Sequence, residues 1–213
     1  MKSLPELSKD LESNKTTARE LLELCFEKIY DPAGEGARAF LSVSHDKARA
    51  QADAMESLRK SGSEPSAYAG IPISVKDLYD VKGEVTGAGS KILSTSAPAG
   101  QDAPTIARLR HAGFVFVGRN NMVEFAYAGI GMNPHFGTPK IPYDRANGRM
   151  PGGSTSGGAV AVADGMVAAT LGSDTGGSCR IPAAFCGITG YKPTASRVPI
   201  TGLTPLSFSL DSA

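Results

Sequence analysis

The sequence predicts an α/β protein. Segments of helical period alternate along the chain with short, continuously apolar runs of strand length, the pattern of layered α/β folds. The chain has 213 residues, enough to bury a sizeable core without staples. Hydrophobic residues make up 41% and charged residues 20%, ordinary proportions for a globular chain in water.

The elements follow in order. Thr17-Ala-Arg-Glu20 has the form of a capping box, and Leu21, Leu22, Cys25, Phe26 and Ile29 follow at helical spacing. A second helix is predicted over 46–60, rich in alanine and charge, and a polar Gly/Ser/Pro loop over 61–66. Gly70 to Val75 reads as a short buried strand with Lys76 at its end. A third helix spans 103–112, with Pro104 in its first turn and Gly113 as its stop. A strand over Phe114–Val117 follows directly. Residues 129–153 are irregular, rich in glycine and proline. Then come a small apolar helix over 156–164, a strand over 167–171, a glycine turn, and a helix over 179–185 headed by Ser178. Residues 202–213 read as loop, and no final strand or helix closes the domain there.

Composition excludes several classes of function. The formal charge is +1, from 22 basic and 21 acidic residues, so no global field draws nucleic acid or an anionic membrane. No apolar run reaches bilayer-spanning length, and the N-terminal residues lack the apolar core of a secretory signal. Cys25, Cys179 and Cys186 are odd in number and form no CxxC pair, so neither a disulfide framework nor a zinc site is expected. Free thiols fit a reducing compartment, and the cytoplasm is the expected location.

Chemistry concentrates where the 25 glycines cluster, between Gly129 and Gly190. In Asp174-Thr-Gly-Gly-Ser178 a serine follows small residues whose backbone amides are free to face a pocket. Thr175, Gly176, Gly177 and Ser178 fit an oxyanion hole, with Ser178 as nucleophile. The same five residues also suit a tight turn that merely needs glycine. Gly152 to Gly158 has the glycine content of a phosphate loop but lacks the GK[ST] ending, and neither serine in it sits in a GxSxG elbow. Of the three histidines, His45 and His111 lie on or beside charged helices, and only His135 stays as an alternative base. Lys76 alone among the lysines directly follows a strongly apolar strand. Burial there lowers a lysine's pKa and makes it a base, whereas a strand-end lysine that snorkels to water is a structural residue only.

Together these segments resemble the amidase signature family. The resemblance rests on Gly70-Ile-Pro-Ile-Ser-Val-Lys-Asp77, Val117 to Phe125, Pro151-Gly-Gly-Ser-Thr-Ser-Gly-Gly158, Leu171 to Ala183 and Phe185 to Pro193, and it covers the chain from about Thr17 onward. It implies a mixed β-sheet core flanked by helices, in a single domain of which these residues form the N-terminal portion. It also implies a Ser–cis-Ser–Lys triad: Ser178 as nucleophile, Ser154 rather than Ser156 as the bridging serine, and Lys76 as the base. Asp174 and Arg180 are expected to brace the glycine turn. Tyr127, Ala128 and Gly129 resemble the loop bordering the acyl pocket and are expected substrate contacts. Thr155 stands where a serine is common and keeps the hydroxyl. Cys179 stands where an aliphatic residue is usual, as a small buried hydrophobe or, alternatively, a reactive thiol.

The implied activity is hydrolysis of a carboxamide through an acyl-enzyme, with no cofactor and no metal. The expected ligand is a small-molecule amide, not nucleic acid or membrane, and the expected assembly is a homodimer. Two other readings stand beside the free-standing amidase. One is the glutamine-hydrolysing A subunit of a tRNA-dependent amidotransferase. The other is an inactive truncated fragment, because family members are longer and Ser209-Leu-Asp-Ser212 resembles a mid-domain motif. On that basis the 213-residue chain by itself is expected to melt without cooperativity or to turn over amides poorly; a cooperative melt with ordinary turnover overturns the expectation.

Overall fold

A computed structural model gives the fold and describes residues 1–213. Its elements are α1 (Leu4–Glu12), α2 (Ala18–Ile29), α3 (Gly36–Ala39), β1 (Phe40–Val43), α4 (His45–Lys60), β2 (Pro72–Lys76), α5 (Pro104–His111), β3 (Val115–Asn120), α6 (Ser156–Ala163), β4 (Ala169–Leu171) and α7 (Arg180–Cys186). The four strands form one mixed sheet in the order β1-β3-β2-β4. β1 runs antiparallel to β3, while β3 and β4 both run parallel to β2. The mixed sheet flanked by helices agrees with the predicted class.

Three elements escape sequence reading: α1, α3 and β1. In α1 the Ser3 amide donates to Glu6 Oε2 at 2.9 Å, and only Leu7 and Leu11 are buried, against Leu21 and Ile71. That apolar stripe is too short to stand out as a period. β1 is four residues with one fully buried side chain, and its strand character comes from pairing with β3. The remaining boundaries move by a few residues. β3 extends past Val117 to Asn120, because pairing with β2 and β1 carries the ladder through polar Arg119 and Asn120. The final strand contracts to 169–171.

The sheet separates two apolar layers. Val115 and Val117 of β3 pack with α2, α4, Ala161 and Met166, while Phe116 packs on the other side with Ile73, Val75 and Ile106. Alternation along β2 then decides the site. Ile73 and Val75 enter the second layer, so Ser74 and Lys76 project to the opposite face.

A buried ion pair ties the end of β2 to β3. Arg119 Nε donates to Asp77 Oδ1 at 2.7 Å, and Nη2 donates to the Tyr79 carbonyl at 2.8 Å. The second carboxylate oxygen accepts from the Gly89 amide at 2.9 Å. Removing one partner strands the other charge in the interior. Asp77→Ala is therefore expected to cost about 3–5 kcal/mol of stability, read as a lowered urea midpoint; a loss below about 1 kcal/mol contradicts this account.

Candidate active site

The site forms at the carboxyl ends of the parallel strands, where α/β sheets open their crevices. Lys76 closes β2 in register with Asn120 of β3, and the turn after β4 brings in Gly172 and Ser173. Lys76 is fully buried. Its Nζ lies 2.7 Å from Ser154 Oγ, 2.8 Å from Ser173 Oγ and 3.5 Å from the Ser173 carbonyl. None of its hydrogen-bond partners is a carboxylate. Burial without a counter-charge pushes its pKa down to about 7, although Asp174 and Asp211 pull the other way. A neutral amine has two N–H donors and one lone pair. In that form Ser173 can accept the donors and the lone pair can accept from the Ser154 hydroxyl, whereas the charged amine donates to Ser154.

Ser154 is held from both sides. The Gly153–Ser154 peptide bond is cis. The Gly153 amide donates to the Gly129 carbonyl at 2.8 Å, and the Ser154 carbonyl accepts from the Val123 amide at 3.1 Å. A Cβ at Gly153 would lie 2.8 Å from the Gly131 nitrogen and 2.9 Å from Val123 Cγ2, so only glycine fits. Of Tyr127, Ala128 and Gly129, the Gly129 carbonyl is the group bonded to the Ser154 segment, and Tyr127 is 84% exposed.

Ser178 enters from the next turn. Its carbonyl accepts from the Thr155 amide at 3.2 Å, joining the two serine segments, and no hydrogen bond occupies its hydroxyl. Asp174 organises this turn. Its carboxylate accepts from the amides of Gly177 (2.9 Å) and Cys179 (3.1 Å) and pairs with the Arg180 guanidinium at 2.8 and 3.0 Å. Burial pushes the Asp174 carboxyl up, but Arg180 and the amides outweigh it and hold its pKa below the ordinary value. Gly177, at φ 132°, adopts a conformation that other residues resist. Its amide is spent on Asp174, which removes it from the expected oxyanion donors. The amides of Thr175, Gly176 and Ser178 take no protein acceptor.

Ser178 also precedes α7 by two residues instead of heading it, because Cys179 is the N-cap. Burial pushes the Cys179 thiol up, which favours the small-hydrophobe reading over the reactive thiol. His135 makes its contacts elsewhere: Nε2 lies 3.0 Å from Glu124 Oε1, which also accepts from Ser90 Oγ, and it bonds to none of Lys76, Ser154 or Ser178. Ser173 escapes sequence reading. A serine beside a glycine turn carries no local signal of a lysine partner nearly a hundred residues earlier.

Comparison with known proteins bears on this geometry. The profile of the family described as Amidase matches residues 20–213. The chain belongs to the amidase family. It is 43% identical over 210 residues to the A subunit of the glutamyl-tRNA(Gln) amidotransferase of Chromohalobacter salexigens, covering 99% of this chain and 42% of that one. It is 42% identical over 207 residues to AtzE, a component of the 1-carboxybiuret hydrolase of Pseudomonas sp. strain ADP, covering 97% and 44%. A solved structure described as an inhibitor-bound vestigial complex bearing on the origins of an s-triazine catabolic enzyme superposes with a TM-score of 0.93 at 40% identity, covering 99% of this chain and 46% of that one. The chain thus spans less than half the length of these relatives. No helix of this amidase-family chain is long and apolar enough to cross a membrane.

The buried amine has a consequence for stability. A lysine lowered to about 7 in the fold and ordinary when unfolded costs stability in full below pH 7, and the cost is relieved as pH rises toward 10.5. Its full size is on the order of 5 kcal/mol. Relative to Lys76→Met, the chain should therefore gain stability between pH 7 and pH 10, measured by urea unfolding across that range; parallel curves contradict a depressed pKa.

Proposed function

We propose that this chain carries the reactive centre of an amidase that hydrolyses a carboxamide through an acyl-enzyme on Ser178. The single observation behind this reading is the fully buried Lys76, 2.7 Å from Ser154 and without a carboxylate partner, in a segment whose next residue, Thr155, is bonded to the Ser178 carbonyl. The neutral Lys76 amine takes the Ser154 proton, and Ser154 takes the Ser178 proton. Ser178 Oγ attacks the amide carbonyl. The amides of Thr175, Gly176 and Ser178 face the charge that develops on the oxygen. The relay then returns the proton to the departing nitrogen, which leaves as ammonia or an amine. Water, deprotonated by the same relay, cleaves the ester and releases the carboxylate. Tyr127, Ala128 and Gly129 border the acyl group. Every proton moves between groups of this chain, substrate and water, so the reaction calls on no cofactor.

A second reading uses the same centre to release ammonia from glutamine for a partner protein. The identity to an amidotransferase component favours it, while a nearly equal identity to a carboxybiuret hydrolase component favours a small free amide. Turnover of glutamine against simple aryl amides separates the two.

Labelling with a fluorophosphonate, followed by peptide mapping, tests the mechanism in a single turnover. The label is expected on Ser178 and is expected to disappear in Lys76→Ala; modification elsewhere sinks the proposal. Because Lys76 must be neutral to act as base, the labelling rate should climb as pH rises through about 7 and level off above it. A rate independent of pH between 6 and 8 removes Lys76 from the role.

A further inference from the structure

The segment over 206–212 lies outside the reactive centre described so far, yet it is bonded to the nucleophile turn at three points. The Asp174 amide donates to the Ser212 carbonyl at 2.8 Å, and the Ser212 amide donates to the Asp174 carbonyl at 2.9 Å. Thr175 Oγ1 donates to Asp211 Oδ1 at 2.5 Å. The same carboxylate closes its own loop, accepting from the amides of Leu206 (3.0 Å) and Ser207 (3.1 and 3.2 Å). The Asp211 amide in turn donates to the Ser207 carbonyl at 3.0 Å. The loop is therefore held by Asp211 before it touches the turn.

These bonds fix a direction. The Asp174 carbonyl and the Thr175 amide belong to one peptide unit, which is planar and trans. Pinning the carbonyl oxygen on Ser212 points the Thr175 N–H the opposite way. The Thr175 side chain, anchored on Asp211, stops that peptide from rotating. The Thr175 amide itself has no protein acceptor.

We propose that Asp211 is a positioning residue for the oxyanion hole: through the Thr175 hydroxyl and the Asp174–Ser212 bridge it aims the Thr175 amide at the substrate carbonyl oxygen. The inference rests on the amidase reading of Ser178. It gives the 206–212 loop a catalytic consequence although none of its side chains need touch substrate. It also explains a threonine at position 175, where the turn alone would accept any small residue. The loop acts on transition-state charge and makes no hydrogen bond to Lys76.

The test uses the full 213-residue chain with Asp211→Ala, Thr175→Val and Thr175→Ser. The first readout is the rate of fluorophosphonate labelling at Ser178, since the phosphonyl oxygen occupies the place of the oxyanion. The second is affinity for phenylboronic acid, which forms a tetrahedral adduct on the same serine. Asp211→Ala and Thr175→Val are expected to lower both by roughly 10- to 100-fold, the scale of a weakened oxyanion donor. The pH midpoint of labelling should stay in place in Thr175→Val and move down in Asp211→Ala, which removes a negative charge that raises the Lys76 pKa, and Thr175→Ser should recover most of the Thr175→Val loss because it restores the hydroxyl. A merely structural role would lower the melting temperature without this paired loss or its rescue.

Folded Asp211→Ala and Thr175→Val chains that label and bind boronate within twofold of the parent overturn the proposal. Should Asp211→Ala unfold, Thr175→Val, which deletes one hydrogen bond, carries the test alone. If the parent itself shows no label on Ser178, the amidase reading fails, and amide hydrogen exchange then judges the clasp separately. Exchange at Asp174 and Ser212 that quickens at least tenfold in Thr175→Val upholds the clasp; unchanged exchange overturns it.

Discussion

The burial of Lys76 without a counter-ion is the constraint on which the rest depends. An ammonium in that position would need a carboxylate or water, and its immediate partners are two serine hydroxyls and a carbonyl. The fold answers by depressing the amine's pKa toward neutrality. The cost in stability is carried by the apolar layers on either side of the sheet. Ile73 and Val75, flanking Ser74 on β2, sit in one of those layers and fix which way Lys76 points.

A second charge group does the opposite work. Asp174 is buried as a carboxylate because Arg180 and backbone amides surround it. That arrangement consumes the Gly177 amide and leaves those of Thr175, Gly176 and Ser178 without a protein acceptor. The Lys76 pKa is thus lowered by isolation and the turn is held by saturation, within one small region. Asp77 and Arg119 form a further paired set at the end of β2, where they lock the strand ends that carry Lys76.

The residues of the candidate site divide by where they sit. Lys76, Ser154, Ser173 and Ser178 lie on strand ends and glycine turns packed against the core. Tyr127 to Gly129 lie on an exposed loop tied to the cis-peptide segment by a single backbone bond. The 206–212 loop, by contrast, is bonded directly to the nucleophile turn.

The sequence by itself determined the alternating α/β order, the helices with clear caps and apolar stripes, and the identity of the glycine-rich centre. Those features are local: Thr17 caps its own helix, and Gly177 answers to its own backbone conformation and to Ile181 one turn on. It did not reveal α1 or β1, whose apolar content is slight and whose form comes from packing against Ile71 and pairing with β3. Only the tertiary structure decided that Lys76 is buried and not snorkelled, that Ser173 completes its shell, and that Gly177 serves Asp174. It also decided that Asp211 reaches Thr175. The Lys76–Ser173 and Thr175–Asp211 contacts join segments distant in the chain, and even the short-range Gly177–Asp174 bond depends on how the turn is held, so a linear pattern cannot state which donor meets which acceptor until the sheet has brought the strand ends together.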